Sequence, residues 1–161
     1  MPEREWAVGI AEIKTARSPD RLTAYGLGSC VGISLYDRRN KVGGLAHVML
    51  PSSLLHPQIS VPGKYADTAI EKLLKALLEE GADLTALEAK LVGGSNMFAS
   101  IIPQAVPIGM RNVSASRDKL LEKGIPVLAE EVGGNQGRTV FFSLLDGRME
   151  IRKLNKPIQW I

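Results

Sequence analysis

Residues 27–51 read Leu-Gly-Ser-Cys-Val-Gly-Ile-Ser-Leu-Tyr-Asp, then Arg-Arg-Asn-Lys, then Val-Gly-Gly-Leu-Ala-His-Val-Met-Leu-Pro. Two apolar and β-branched runs flank a polar reversal, the pattern of a β-hairpin. The hairpin holds the only cysteine, Cys30, and one of two histidines, His47. With Arg38 and Arg39 as a two-residue loop, paired positions sum to 77 and Cys30 falls opposite His47. Opposed residues of an antiparallel pair share a face with Cβ atoms about 4.5–5.5 Å apart, close enough for a thiol and an imidazole to share a proton. Any loop of even length keeps the two on one face; an odd loop or a bulge separates them. A lone cysteine in a strand is also commonly just a small buried hydrophobe, and a lone histidine a satisfied core or surface residue. Gly26 and Gly28, just before the thiol, let the backbone bend tightly and free N–H groups around Ser29 and Cys30 to meet a reacting carbonyl oxygen.

The rest of the chain bounds what such a pair can serve. A length of 161 residues suits one domain, residues 1–161, with room for a sizeable core. One cysteine allows no internal disulfide, and no basic-then-apolar leader or membrane-length apolar run is present, so a soluble cytoplasmic protein is expected. The net charge of +3 is mild, and bases alternate with acids, as in Glu71, Lys72, Lys75, Glu79 and Glu80. That pattern reads as a solvated surface rather than a nucleic-acid footprint. The C-terminal Arg148, Arg152, Lys153 and Lys156 are more one-sided and fit either an acidic protein partner or plain solubility.

Along the chain, strands are expected over Ala7–Ala16 and Leu22–Tyr25, before the hairpin. A proline-bearing loop with His56 follows Pro51. A helix over Lys64–Glu80 carries the stripe Ala66, Ala69, Ile70, Leu73, Leu74, Leu77 and Leu78 and stops at Gly81. A buried strand over Leu87–Val92 breaks at Gly93-Gly94-Ser95-Asn96. A second helix over Met110–Lys123 places Met110, Val113, Leu120 and Leu121 inward, and strands follow over Pro126–Val132, Thr139–Leu145 and Met149–Leu154. Strands first, then helices among strands, indicate an α+β domain whose largely antiparallel sheets carry helices outside. The Gly133–Thr139 segment superficially matches a phosphate-binding loop, but its glycines are too close, it has Arg in place of Lys and it leads into a strand. Cys30, His47 and His56 lack the close-spaced pairing of a zinc site. Neither nucleotide nor metal is therefore expected.

Six segments, in order along nearly the whole chain, resemble one family: Gly28-Ser29-Cys30, His47–Pro51, Pro62–Asp67, Gly93–Phe98, Ile108–Asn112 and Glu131–Asn135. They resemble the chemoreceptor glutamine deamidases, CheD. The resemblance implies an α/β/β sandwich similar to the deamidase domain of cytotoxic necrotizing factor toxins, no cofactor, and a hydrolase that turns glutamines on the cytoplasmic helices of methyl-accepting chemotaxis receptors into glutamates. It implies the CheC phosphatase as a partner and Cys30 as the nucleophile, activated by His47; on chemical grounds Gly28 and Ser29 are the expected oxyanion and substrate-binding residues. Family members commonly carry a threonine six residues before the cysteine that helps hold the histidine. Here that position is Ala24, beside Thr23. Thr23 is the expected substitute if a bulge or one-residue shift re-aims it; a backbone carbonyl, Ser29 or Ser34 are the alternatives. The missing threonine keeps a second reading open, a CheC-associated regulator with little activity. A cysteine protease or transglutaminase would use similar chemistry and differ in product.

Overall fold

In the computed structural model, which describes residues 3–54, 61–98 and 106–161, ten strands and two helices lie along the described chain. They are β1 (Glu5–Ala7), β2 (Ile13–Arg17), β3 (Arg21–Leu27), β4 (Val31–Asp37), β5 (Val42–Val48), α1 (Ala66–Glu79), β6 (Leu87–Gly93), α2 (Ile108–Glu122), β7 (Val127–Val132), β8 (Arg138–Ser143), β9 (Met149–Arg152) and β10 (Gln159–Trp160). The strands form two sheets, ordered β1-β3-β8-β9-β10 and β2-β5-β4-β6-β7. Only the β1–β3 and β6–β7 pairings are parallel, so the expected antiparallel character holds. Both helices pack on the second sheet, giving helix, sheet and sheet layers.

Two apolar layers follow from the period-2 alternation of the central strands. On one face of β4 and β5, Val31, Ile33, Leu35, Ala46 and Val48 meet Ile70, Leu73 and Leu77 of α1. On the other, Tyr36 and Leu45 meet Leu22, Val140, Phe142 and Ile151 of the first sheet. Burial at every position of β4 and β5 follows from their lying between the helices and the first sheet.

Three expectations need correction. The strand expected over Ala7–Ala16 is two strands in different sheets, because the chain reverses between them: Glu12 N–H donates to Gly9 O at 3.0 Å and Ala11 takes φ 65°. The hairpin loop has four residues, 38–41, so Asp37 faces Val42 and paired positions sum to 79. Asp37 itself causes this, since its carboxylate accepts N–H bonds from Arg39 (3.0 Å) and Asn40 (2.9 Å) and curls the chain into a longer turn. On α2, Met110 and Leu121 are exposed; the inward stripe is Gly109, Asn112, Val113, Ser116 and Leu120, small and polar where it meets the sheet. Leu78 likewise lies exposed at the margin of the α1 stripe. The basic C-terminal residues are largely engaged: Arg148 stacks on Trp160, Arg152 on Phe141, and Lys153 pairs with Glu131 at 2.8 Å.

Candidate active site

Between β3 and β4 the chain turns through Gly28, Ser29 and Cys30, and every carbonyl of that turn is tied down. Gly28 O accepts from Ser95 N–H (2.8 Å), Ser29 O from the Asn112 side-chain amide (2.9 Å) and Cys30 O from Gly94 N–H (2.8 Å). The same amide also donates to Met49 O at 3.1 Å, two residues beyond His47. One buried asparagine of α2 thus joins the cysteine turn to the end of the histidine strand. With the carbonyls committed, the N–H groups of Ser29 and Cys30 donate to no backbone carbonyl among the described residues, and the Cys30 N–H faces its own thiol. Gly93 sits against this turn with φ 111°, and a Cβ there would overlap the Cys30 carbonyl oxygen, so space and backbone conformation both select glycine.

His47 is gripped by the reversal between β1 and β2. Its N–H donates to Glu12 O (3.1 Å), its carbonyl accepts from Ala11 N–H (2.8 Å), and its ring Nδ1 lies 3.1 Å from Val8 O. A carbonyl can only accept, so Nδ1 carries the proton and Nε2 bears a lone pair. Nε2 is buried and has no hydrogen-bond partner among the described residues. The ring is therefore held in the tautomer a general base requires.

Gly32 faces His47 across the hairpin, and Cys30 lies two residues before Gly32. The even loop keeps Cys30 and His47 on the same face, as the sequence predicts, but as diagonal rather than opposed neighbours. Both look into the layer between the sheets, where Cys30 packs half-buried against apolar neighbours. Burial pushes the Cys30 thiol above its ordinary value, opposed in part by its own backbone N–H. Burial likewise pushes His47 below the usual imidazole value, opposed by the Val8 carbonyl and the Glu12 carboxylate. A raised thiol and a lowered imidazole both favour the uncharged pair over thiolate and imidazolium at neutral pH.

Thr23 is elsewhere. Leu22 and Ala24 of β3 point into the inter-sheet core, so Thr23 between them faces the outer surface of the first sheet, in register with Phe141. The β3 irregularity falls after Ala24 and does not re-aim it. The Thr23 hydroxyl does not orient His47; the Val8 carbonyl does, which is the backbone alternative. What Thr23 lends to the His47 support is its own carbonyl, which accepts from Val8 N–H at 2.7 Å. Val8 and Glu12 are supporting residues that the sequence reading did not assign, and Asn112, expected to shape a substrate groove or cap a helix, instead joins the two strands of the site. Asn112 left one signal, its place in the Ile108–Asn112 motif; Val8 acts through backbone, which no side-chain pattern reveals.

No group of three or more His, Cys, Asp or Glu side chains among the described residues could hold a metal. His56 lies outside the described residues. The Gly133-Gly134 segment is a turn of positive-φ glycines beneath the Arg138 guanidinium. No described helix is long and apolar enough to cross a membrane.

The family model "CheD chemotactic sensory transduction" matches residues 49–153. That span begins just after His47, so it matches the chain independently of the Cys-His pair. Longer similarity spans positions 30 and 47 as well. A probable chemoreceptor glutamine deamidase CheD of Clostridium tetani is 46% identical over 94% of this chain and 93% of its own. One of Clostridium novyi is 44% identical over 100% of both, and one of Thermococcus kodakarensis is 41% identical over 94% of each. Among solved structures, the Bacillus licheniformis hypothetical protein YfiH aligns with a TM-score of 0.48 at 15% identity, covering 74% of this chain and 49% of that one.

Proposed function

Because the chain belongs to the CheD family, an amidohydrolase family whose relatives are named chemoreceptor glutamine deamidases, we propose that it deamidates chemoreceptor glutamines through a Cys30 thioester. The observation that carries the mechanism is the unpartnered, buried Nε2 of a His47 whose Nδ1 is committed to Val8, on the same sheet face as the sole cysteine.

The uncharged resting pair sets the order of events. Cys30 Sγ attacks the glutamine carboxamide carbon as His47 Nε2 takes the thiol proton, so charge separates only when substrate is in place. The Ser29 and Cys30 N–H groups receive the developing oxyanion; Gly28 shapes the turn that presents them. His47 then gives its proton to the nitrogen, the C–N bond breaks, and ammonia leaves with the acyl group bound to sulfur. Water, losing a proton to His47, attacks the thioester; sulfur departs and recovers its proton, leaving glutamate. The sequence consumes one water and releases one ammonia, and every proton moves through Nε2.

The same reading takes residues 1–161 as one deamidase domain acting in the cytoplasm, where the receptor helices lie. It also takes the new glutamates as tuning receptor signalling and CheC as a partner; family membership supports both. The test is mass spectrometry of a chemoreceptor cytoplasmic fragment incubated with the protein or with Cys30→Ala. Glutamine-to-glutamate conversion by the wild type alone supports the reading. Equal spectra, with receptor binding retained, would favour a regulatory binding role.

A further inference from the structure

The carbonyl that orients His47 belongs to the peptide unit joining Val8 to Gly9. The other end of that unit, Gly9 N–H, donates to Glu12 Oε2 at 3.0 Å, while its oxygen accepts from His47 Nδ1 at 3.1 Å. Carboxylate, amide and imidazole are thus connected in series. An amide whose N–H is bound to a carboxylate is polarised, and its oxygen becomes a stronger acceptor. We propose that Glu12 is a positioning residue of this site, acting through the Val8–Gly9 peptide to hold His47 in its Nδ1–H tautomer and to strengthen Nε2 as a base. The inference rests on the reading of His47 as the proton carrier.

The backbone of the relay is fixed by further hydrogen bonds, while the Glu12 side chain itself is 53% exposed. Glu12 N–H closes the turn onto Gly9 O, and Glu12 O and Ala11 N–H clamp the His47 main chain. Behind the turn, Gly63 leaves no room for movement, since a Cβ there would overlap Ala11 O. Val8 N–H is anchored on Thr23 O. A carboxylate in this place does the work that a side chain hydrogen-bonded directly to the ring does elsewhere, with one peptide interposed.

The titratable and charged groups around His47 are Cys30 ahead of β4, Glu12 in the turn, and Lys14 on β2. Lys14 Nζ lies 3.5 Å from Glu12 Oε2 and also donates to Ala7 O. Arg138, the charged side chain that β8 buries, is engaged by Glu131 and by the Gly93 and Gly133 carbonyls. Glu12 is therefore the one carboxylate hydrogen-bonded into the His47 network among the described residues.

Two substitutions separate charge from hydrogen bond. Glu12→Gln keeps an oxygen for Gly9 N–H but removes the charge; Glu12→Ala removes both. The measurement is a pH titration of the imidazole 15N resonances of the full chain, with His56→Gln assigning the two histidines, beside turnover of a receptor fragment. The wild type is expected to show protonated Nδ1 and bare Nε2. Glu12→Ala is expected to mix the tautomers, lower the His47 titration midpoint, and cut kcat by about three- to tenfold with KM within about twofold. Glu12→Gln should retain the tautomer with an intermediate midpoint. A wild-type Nε2–H tautomer, or a Glu12→Ala spectrum that titrates as the wild type does, overturns the proposal. The spectrum decides this even if no turnover is found, which would instead overturn the base assignment.

Discussion

Burial between the sheets favours the uncharged forms of Cys30 and His47 at neutral pH, and this has a direct chemical reading. Alkylation needs the thiolate, so iodoacetamide should label Cys30 slowly at pH 7 and faster as pH rises, with a midpoint above that of an unperturbed thiol. Mass spectrometry follows this cleanly because the chain has no second cysteine. A midpoint well below the usual thiol value would show a resting ion pair instead. His47 must be neutral to act as base, and its lowered value keeps it neutral to lower pH than a free imidazole. The acid limb of the turnover profile should therefore fall below the ordinary histidine range. Thr23 tests the assignment from the other side. Its hydroxyl faces the Glu5 carboxylate on β1 rather than the Cys30–His47 pair, so Thr23→Val should leave kcat within about twofold and cost no more than about 1.5 kcal/mol of stability. A loss of turnover with the fold intact would return the ring-orienting role to Thr23.

The β4–β5 hairpin delivers the histidine, and its register is set at the far end by Asp37. That carboxylate accepts from Arg39 and Asn40 in the turn and from Asp83 N–H (2.8 Å) after α1, tying the hairpin to the helical layer. Burial alone would raise the Asp37 value, but these donors outweigh it and hold it low. Its contribution is thus present above the unfolded carboxylate value and is lost as pH falls through the lower folded value. Asp37→Asn should destabilise by about 1–3 kcal/mol at pH 7 and flatten the acid side of the stability profile. Urea titrations at several pH values check both. Equal losses for wild type and variant on acidification would mean that other carboxylates carry the acid sensitivity.

At the scale of the molecule, the site depends on two sheets being held together at the end where Cys30 lies. Arg138 of β8 reaches across to the second sheet, donating to Glu131 O (2.7 Å), Glu131 Oε2 (2.9 Å) and Gly133 O. It is 3% exposed. Removing one partner of a buried pair leaves the other charge unmatched, so Arg138→Met should cost about 3–5 kcal/mol, read as a lowered denaturation midpoint at unchanged m-value. A loss below about 1 kcal/mol would show that water replaces the guanidinium at little cost. Asn112 plays the same joining part between the helical layer and the Cys30 turn.

The sequence by itself determined the hairpin, the shared face of Cys30 and His47, and the apolar stripe of α1, because alternation and helical period are properties of consecutive residues. Side-chain parity survived even the two-residue error in loop length. The tertiary structure decided what holds the pair. The β1–β2 reversal, read as one strand from its run of residues, becomes the clamp on His47 only because its halves join different sheets. Val8 acts through a carbonyl that every residue possesses, and Asn112 through an inward face that small residues disguise as polar surface. Local pattern records which face a side chain takes; which distant backbone group waits there is fixed only when the layers close.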